Sequence, residues 1–93
     1  MSETRTPYET GRAQLRPETL LHISDPKYEA PNDTDLRALK DKSGMTGGEL
    51  AALVGVDART FRAWSAPPTA ERRQRIPYAA WRLLLIELDI VEA

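Results

Sequence analysis

Hydrophobic positions are unevenly distributed along this chain. Residues 1–31 hold Pro7, Pro17, Pro26 and Pro31, with Gly11 and scattered charges, and no apolar period runs through them. That pattern predicts an extended N-terminal arm, mobile unless docked, in which Glu18 to Ile23 can form one helical turn or a short strand. From residue 32 onward the apolar positions recur at helical spacing. Asn32 or Thr34 can cap a first helix from Asp35 to about Lys42, with Leu36 and Leu39 on its buried side and Gly44 as its stop.

The next stretch, TGGELAALVGVDARTFRAW from Thr46 to Trp64, carries the densest local signal. Thr46 followed three residues later by Glu49 forms a capping box. Leu50, Ala51, Leu53 and Val54 supply one buried face, and Gly55 stands where a helix ends in a left-handed residue. Val56 plugs the turn. Asp57 caps a second short helix whose inner face is Phe61 and Trp64. Ala58, Arg59, Arg62 and Ser65 are left pointing outward. Two short helices around a tight turn, the second presenting two arginines, match the layout of a helix-turn-helix that enters a DNA major groove.

Ala66–Pro67–Pro68 ends that second helix, because proline cannot continue it. A loop, Thr69 to Arg75, follows. Ile76–Pro77 then opens a last helix to about Val91. At 100° per residue Tyr78, Trp81, Leu84, Leu85 and Leu88 share one arc. Leu83, Ile86 and Ile90, with Ala79, share the opposite one. A helix apolar on two sides must be covered on two sides. The first arc can pack on the helix-turn-helix core. The second predicts a dimer interface of Leu83, Ile86 and Ile90, with the arm folding over it as the alternative. The expected fold class is therefore all-α: an arm over residues 1–31 and, over 32–93, a small helical bundle with a helix-turn-helix that binds DNA and dimerises.

Charge sharpens the picture. The chain has 93 residues, no cysteine and a net charge of −1. Yet residues 58–75 hold Arg59, Arg62, Arg72, Arg73 and Arg75 against Glu71, a local net of +4, and every other segment is neutral or acidic on balance. Screening acts over about 8–10 Å, so a local basic field survives a slightly acidic whole. The lack of cysteine excludes disulfides and thiolate metal sites. The single histidine, His22, sits among polar residues and reads as solvated. No cofactor or metal ligand set and no nucleophile–base constellation can be placed, so an enzyme is not expected. The N-terminus lacks a signal-peptide pattern, and the run Leu83 to Ile86 is too short to span a bilayer, which together suggest a cytoplasmic protein.

The segment from about Leu36 to Leu85 resembles the Cro-like (XRE) helix-turn-helix repressors. LRALKDKSGMTGGELAALVGVDARTFRAW follows their run, with Ala51, Gly55, Val56, Thr60 and Trp64 at the marked positions. Within that class it looks most like the small phage and mobile-element repressors associated with anti-CRISPR operons, through the arm SDPKYEAPND, the Pro-Tyr helix RIPYAAW, and two arginines three apart. The resemblance implies a transcriptional repressor that binds an inverted-repeat DNA operator as a homodimer and shuts down an operon. One departure stands out. Members usually place Gln, alone or with basic residues, at the start of the first of the two helices, where this chain has Gly47, Gly48 and Glu49.

The expected division of labour follows. Ala58, Arg59 and Arg62 contact bases. Thr46, the Gly47 and Gly48 amides, Thr60, Arg72, Arg73 and Arg75 contact the DNA backbone, which positions without specifying. Two other functions fit the same residues: an antitoxin whose N-terminal arm binds a toxin, and a protein-binding module like a CRISPR inhibitor.

Overall fold

A computed structural model of the chain describes residues 15–92, so the expectation for the first fourteen residues lies outside the described part. The described chain is all-helical: a single 3-10 turn at Pro17–Leu20, then α1 (Asp33–Ser43), α2 (Gly47–Leu53), α3 (Ala58–Trp64) and α4 (Tyr78–Glu87). Leu36, Leu39, Leu50, Phe61, Trp64, Ile76, Trp81, Leu84 and Leu85 form one core to which all four helices contribute. The α2–α3 pair is the most intimate contact of the fold.

Each start and stop has a local cause. Asn32, not Thr34, caps α1: its Oδ1 accepts the Asp35 N–H at 2.9 Å, and Asp35 returns the bond to the Asn32 N–H. The helix therefore begins at Asp33, two residues earlier than the apolar pattern alone suggests. Gly44 ends it at φ 71°. Thr46 and Glu49 make the capping box of α2 (Glu49 N–H to Thr46 Oγ1 3.1 Å, Thr46 N–H to Glu49 Oε1 2.9 Å). Gly55, at φ 75°, turns the chain toward α3.

The last helix is shorter than the sequence pattern predicts. It stops at Glu87, and Asp89 adopts a left-handed φ of 60°. The Asp89 N–H donates to the Ile86 carbonyl at 3.0 Å and the Ile90 N–H to the Leu85 carbonyl at 2.9 Å. This is the Schellman closure usually made with glycine. Ile90 consequently leaves the helical stripe and packs, half-buried, against the core.

Residues 15–31 do not stand off as an arm. The Trp81 Nε1–H, fully buried, donates to the Thr19 carbonyl at 2.8 Å, and the Arg82 guanidinium donates to the Leu20 carbonyl at 3.0 Å. His22 and Tyr28 set their rings edge-on against Tyr78, at 6.1 and 5.5 Å. Arg16 closes the strap. It forks onto the buried Asp35 carboxylate (Nη2–Oδ2 2.8 Å, Nε–Oδ2 3.1 Å) and also bonds Glu29 and the Ala30 carbonyl. The segment thus covers the Tyr78–Trp81–Arg82 side of α4. It does not cover Leu83, which remains 38% exposed.

Candidate nucleic-acid interface

The surface of interest is built on α3. Its N-terminus is fixed by Asp57, whose Oδ1 accepts the Thr60 N–H at 2.8 Å. The hydrogen bonds from Thr60, helped by the nearby positive charge of Arg59 and Arg62, hold the Asp57 carboxyl below its ordinary pKa. Phe61, Ala63 and Trp64 point into the core, with the rings of Phe61 and Trp64 edge-to-face at 6.1 Å. That anchoring leaves Arg59 and Arg62 exposed, with Ala58, Thr60 and Ser65 half-buried beside them. Arg37 of α1 steadies the other end of α3 by donating to the Ser65 carbonyl at 3.2 Å. A cation there also complements the negative end of the helix.

The loop after α3 folds back onto it. The Ala70 N–H donates to the Pro67 carbonyl and the Arg73 N–H to the Ala70 carbonyl, at 3.0 and 3.1 Å, so two successive turns shorten the loop. The Gln74 N–H then donates to the Ala63 carbonyl at 3.0 Å, tying the loop to the last turn of α3. The result is an open groove of about 420 Å³ lined by Arg59, Thr60, Arg62, Ala63, Arg72 and Gln74.

Four of the residues expected to meet DNA, Arg59, Arg62, Thr60 and Arg72, thus share one groove. Among the described residues no carboxylate lies within ion-pair distance of Arg59, Arg62 or Arg72. Arg75 is exposed but lies outside the groove lining. Arg73 differs from its neighbours. It is half-buried, and its Nε is buried without a hydrogen-bond partner.

The start of α2 borders the same region. A Cβ built on Gly48 would lie 3.9 Å from Ala58 Cβ, which places the two helix N-termini side by side. A Cβ on Gly47 would meet the Phe61 ring at 3.4 Å, an ordinary van der Waals contact, so packing of α2 on α3 does not by itself demand glycine there. The first amides of a helix have no intrahelical acceptor, but Glu49 already occupies the Thr46 N–H and adds a negative charge at that end.

Gln74 was not singled out by the sequence. It follows three charged residues, and its place in the groove lining shows only once the loop is folded back and tied to Ala63. Among the described residues no group of His, Cys, Asp or Glu could hold a metal ion, and no helix is long and apolar enough to cross a membrane. His22 is exposed and its Nδ1 is paired with Ser24 at 2.9 Å. On α4, Leu83 is exposed and Ile86 half-buried, and Ile90, beyond the helix end, folds in beside the core.

No family model matches the chain. It is similar to two Escherichia coli proteins, each named transcriptional repressor protein KorC. One is 33% identical over 78 residues, covering 81% of this chain and 84% of that protein. The other is 33% identical over 61 residues, covering 62% of this chain and 66% of that protein.

Proposed function

The chain belongs to the family of the transcriptional repressor KorC, and from that premise we propose that it is a sequence-specific DNA-binding repressor of the Cro-like helix-turn-helix class. The carrying observation is the groove in which Arg59 and Arg62 of α3 converge with Arg72 of the following loop, with no carboxylate within ion-pair distance among the described residues. A cluster of guanidiniums that no carboxylate pairs in direct contact is a site for an external polyanion. An exposed helix bearing two of them supplies the bidentate geometry that reads guanine O6 and N7.

In this reading Ala58, Arg59 and Arg62 face base edges. Thr60, Arg72, Arg73 and Arg75, with Thr46 and the Gly47 and Gly48 amides, fix the register on phosphates. The protein acts as a homodimer through Leu83 and Ile86 of α4, with Ile90 at the margin. Its operator is an inverted repeat with half-site centres about 10 bp apart or a multiple of that, in front of its own operon. A place among the repressors of anti-CRISPR operons is the narrowest form of the proposal, and the neighbouring genes test it. Residues 15–31 are engaged with the domain's own α1 and α4, which favours the repressor over an antitoxin that would need them for a toxin.

The test is a titration of wild type and alanine variants against operator and scrambled duplexes at several salt concentrations. Arg59→Ala costs about 1–3 kcal/mol per half-site on the operator and little on the scrambled duplex, since a base contact discriminates by that much. Arg62→Ala behaves similarly. Arg75→Ala weakens both duplexes together and lowers the salt slope by about one per half-site. Equal losses on both duplexes for Arg59→Ala move that residue to the phosphates. No loss for either arginine of α3 removes DNA reading and leaves a protein-binding module.

A further inference from the structure

We infer that Gln74, from the loop and not from α3, is a specificity-determining residue that reads an adenine. The inference rests on the DNA-reading function proposed above and extends it to a residue outside the helix-turn-helix.

The length of α3 limits what the helix alone can read. Seven residues at 1.5 Å each make a helix about 10 Å long, which matches about three base steps of a DNA strand. Two outward turns carry Arg59 and Arg62, and at the next turn the helix ends at Trp64. Reading beyond those steps needs a side chain from elsewhere. The backbone bond from the Gln74 N–H to the Ala63 carbonyl puts the loop there, and Gln74 then lines the groove with Arg59, Arg62 and Arg72.

The chemistry at this position is selective. Gln74 is exposed, and its carboxamide has no hydrogen-bond partner among the described residues. It is the one uncharged amide in a groove otherwise supplied with guanidiniums. A guanidinium serves phosphate or guanine. A carboxamide offers one acceptor and one donor side by side, the pair that matches adenine N6–H and N7. Because its backbone is tied to α3, the loop bears Gln74 at a fixed offset from Arg62, which is what base readout requires.

Selection from a randomised duplex pool tests this whatever the operator sequence. Wild type, Gln74→Ala, Gln74→Arg and Arg59→Ala are each put through the same selection, then titrated on the wild-type-selected and scrambled duplexes. Matching thermal melts confirm that each variant is folded. The expected result is that Gln74→Ala loses its preference at one A·T pair per half-site and keeps the others. It also binds the selected duplex about 5- to 100-fold more weakly per half-site, with little change on the scrambled one. Gln74→Arg regains a preference at that pair, now for G·C.

An unchanged motif with Gln74→Ala, or equal losses on both duplexes, overturns the inference. If Arg59→Ala meanwhile drops a base position, the DNA-reading function stands and only the role of Gln74 falls. If wild type selects no motif at all, both fall together.

Discussion

Arg16→Ala tests whether the N-terminal strap is part of the folded domain. Arg16 makes three contacts with the Asp35 carboxylate, between 2.8 and 3.2 Å, and its hydrogen bonds to Asp35 are the main reason its pKa lies above the ordinary arginine value. The Asp35 side chain is 1% exposed, whereas that of Arg16 is 38% exposed. Removing one partner of a buried ion pair costs about 3–5 kcal/mol, because a charge is left without compensation. Two features reduce that figure here. Water reaches the guanidinium side of the pair, and Asp35 keeps its bond to the Asn32 N–H.

We therefore expect a loss of about 2 kcal/mol, with the exposed part of the interaction discounted for solvent screening. For a domain of this size that lowers the Tm by roughly 8–16 °C. Circular dichroism melting of wild type, Arg16→Ala, Asp35→Asn and the double variant closes the cycle, with the double variant losing less than the sum of the singles. Arg16→Lys keeps the charge without the fork and falls between wild type and Arg16→Ala. Strictly additive losses, or a change of less than about 0.5 kcal/mol for Arg16→Ala, would show that the strap and α1 are not coupled in solution.

Other perturbations test different parts of the fold. Asp89→Gly replaces a left-handed non-glycine residue and removes a negative charge from a helix C-terminus, so stability rises by about 0.5–1 kcal/mol; a lower Tm refutes this account of the α4 ending. Ile86→Glu puts a charge into the half-covered face of α4 beside Leu83 and converts a dimer into a monomer in sedimentation equilibrium, an expectation that fails if wild type is already monomeric at roughly tens of micromolar. Asp57 has a lowered pKa when folded, so the stability it contributes is present above its unfolded value of about 3.9 and is lost as pH falls through the folded value. Asp57→Asn, which keeps the cap, accordingly shows a shallower acid decline in Tm, and a decline as steep as that of wild type contradicts the assignment.

What could be read from the sequence was what neighbouring residues decide. The caps at Asn32, Thr46 and Asp57, the left-handed glycines 44 and 55, and the inward pair Phe61 and Trp64 all lie within a few positions of what they control. Local rules of capping and periodicity therefore found them. The end of α4 was misplaced by the same rules. Leu88, Ile90 and Val91 continue an apolar pattern, whereas a backbone closure at Asp89, a residue with no strong signature for it, ends the helix first.

The remaining misses span long distances. Arg16 and Asp35 are 19 residues apart, and Thr19 and Trp81 are 62 apart. Proline spacing in the strap reads as loose chain until Trp81 supplies the partner that docks it. The groove combines both cases. Its arginines were visible as a local excess of charge, but their convergence depends on the turns at Ala70 and Arg73 and the backbone bond between Gln74 and Ala63. Under the proposed reading, that bond gives the loop two constraints instead of one: it would bring positive charge to the backbone of the DNA and hold a neutral amide in register with α3. A loop that served only to attract phosphate would gain from an arginine or lysine at position 74, and its backbone tie to α3 would add nothing to a nonspecific charge contact.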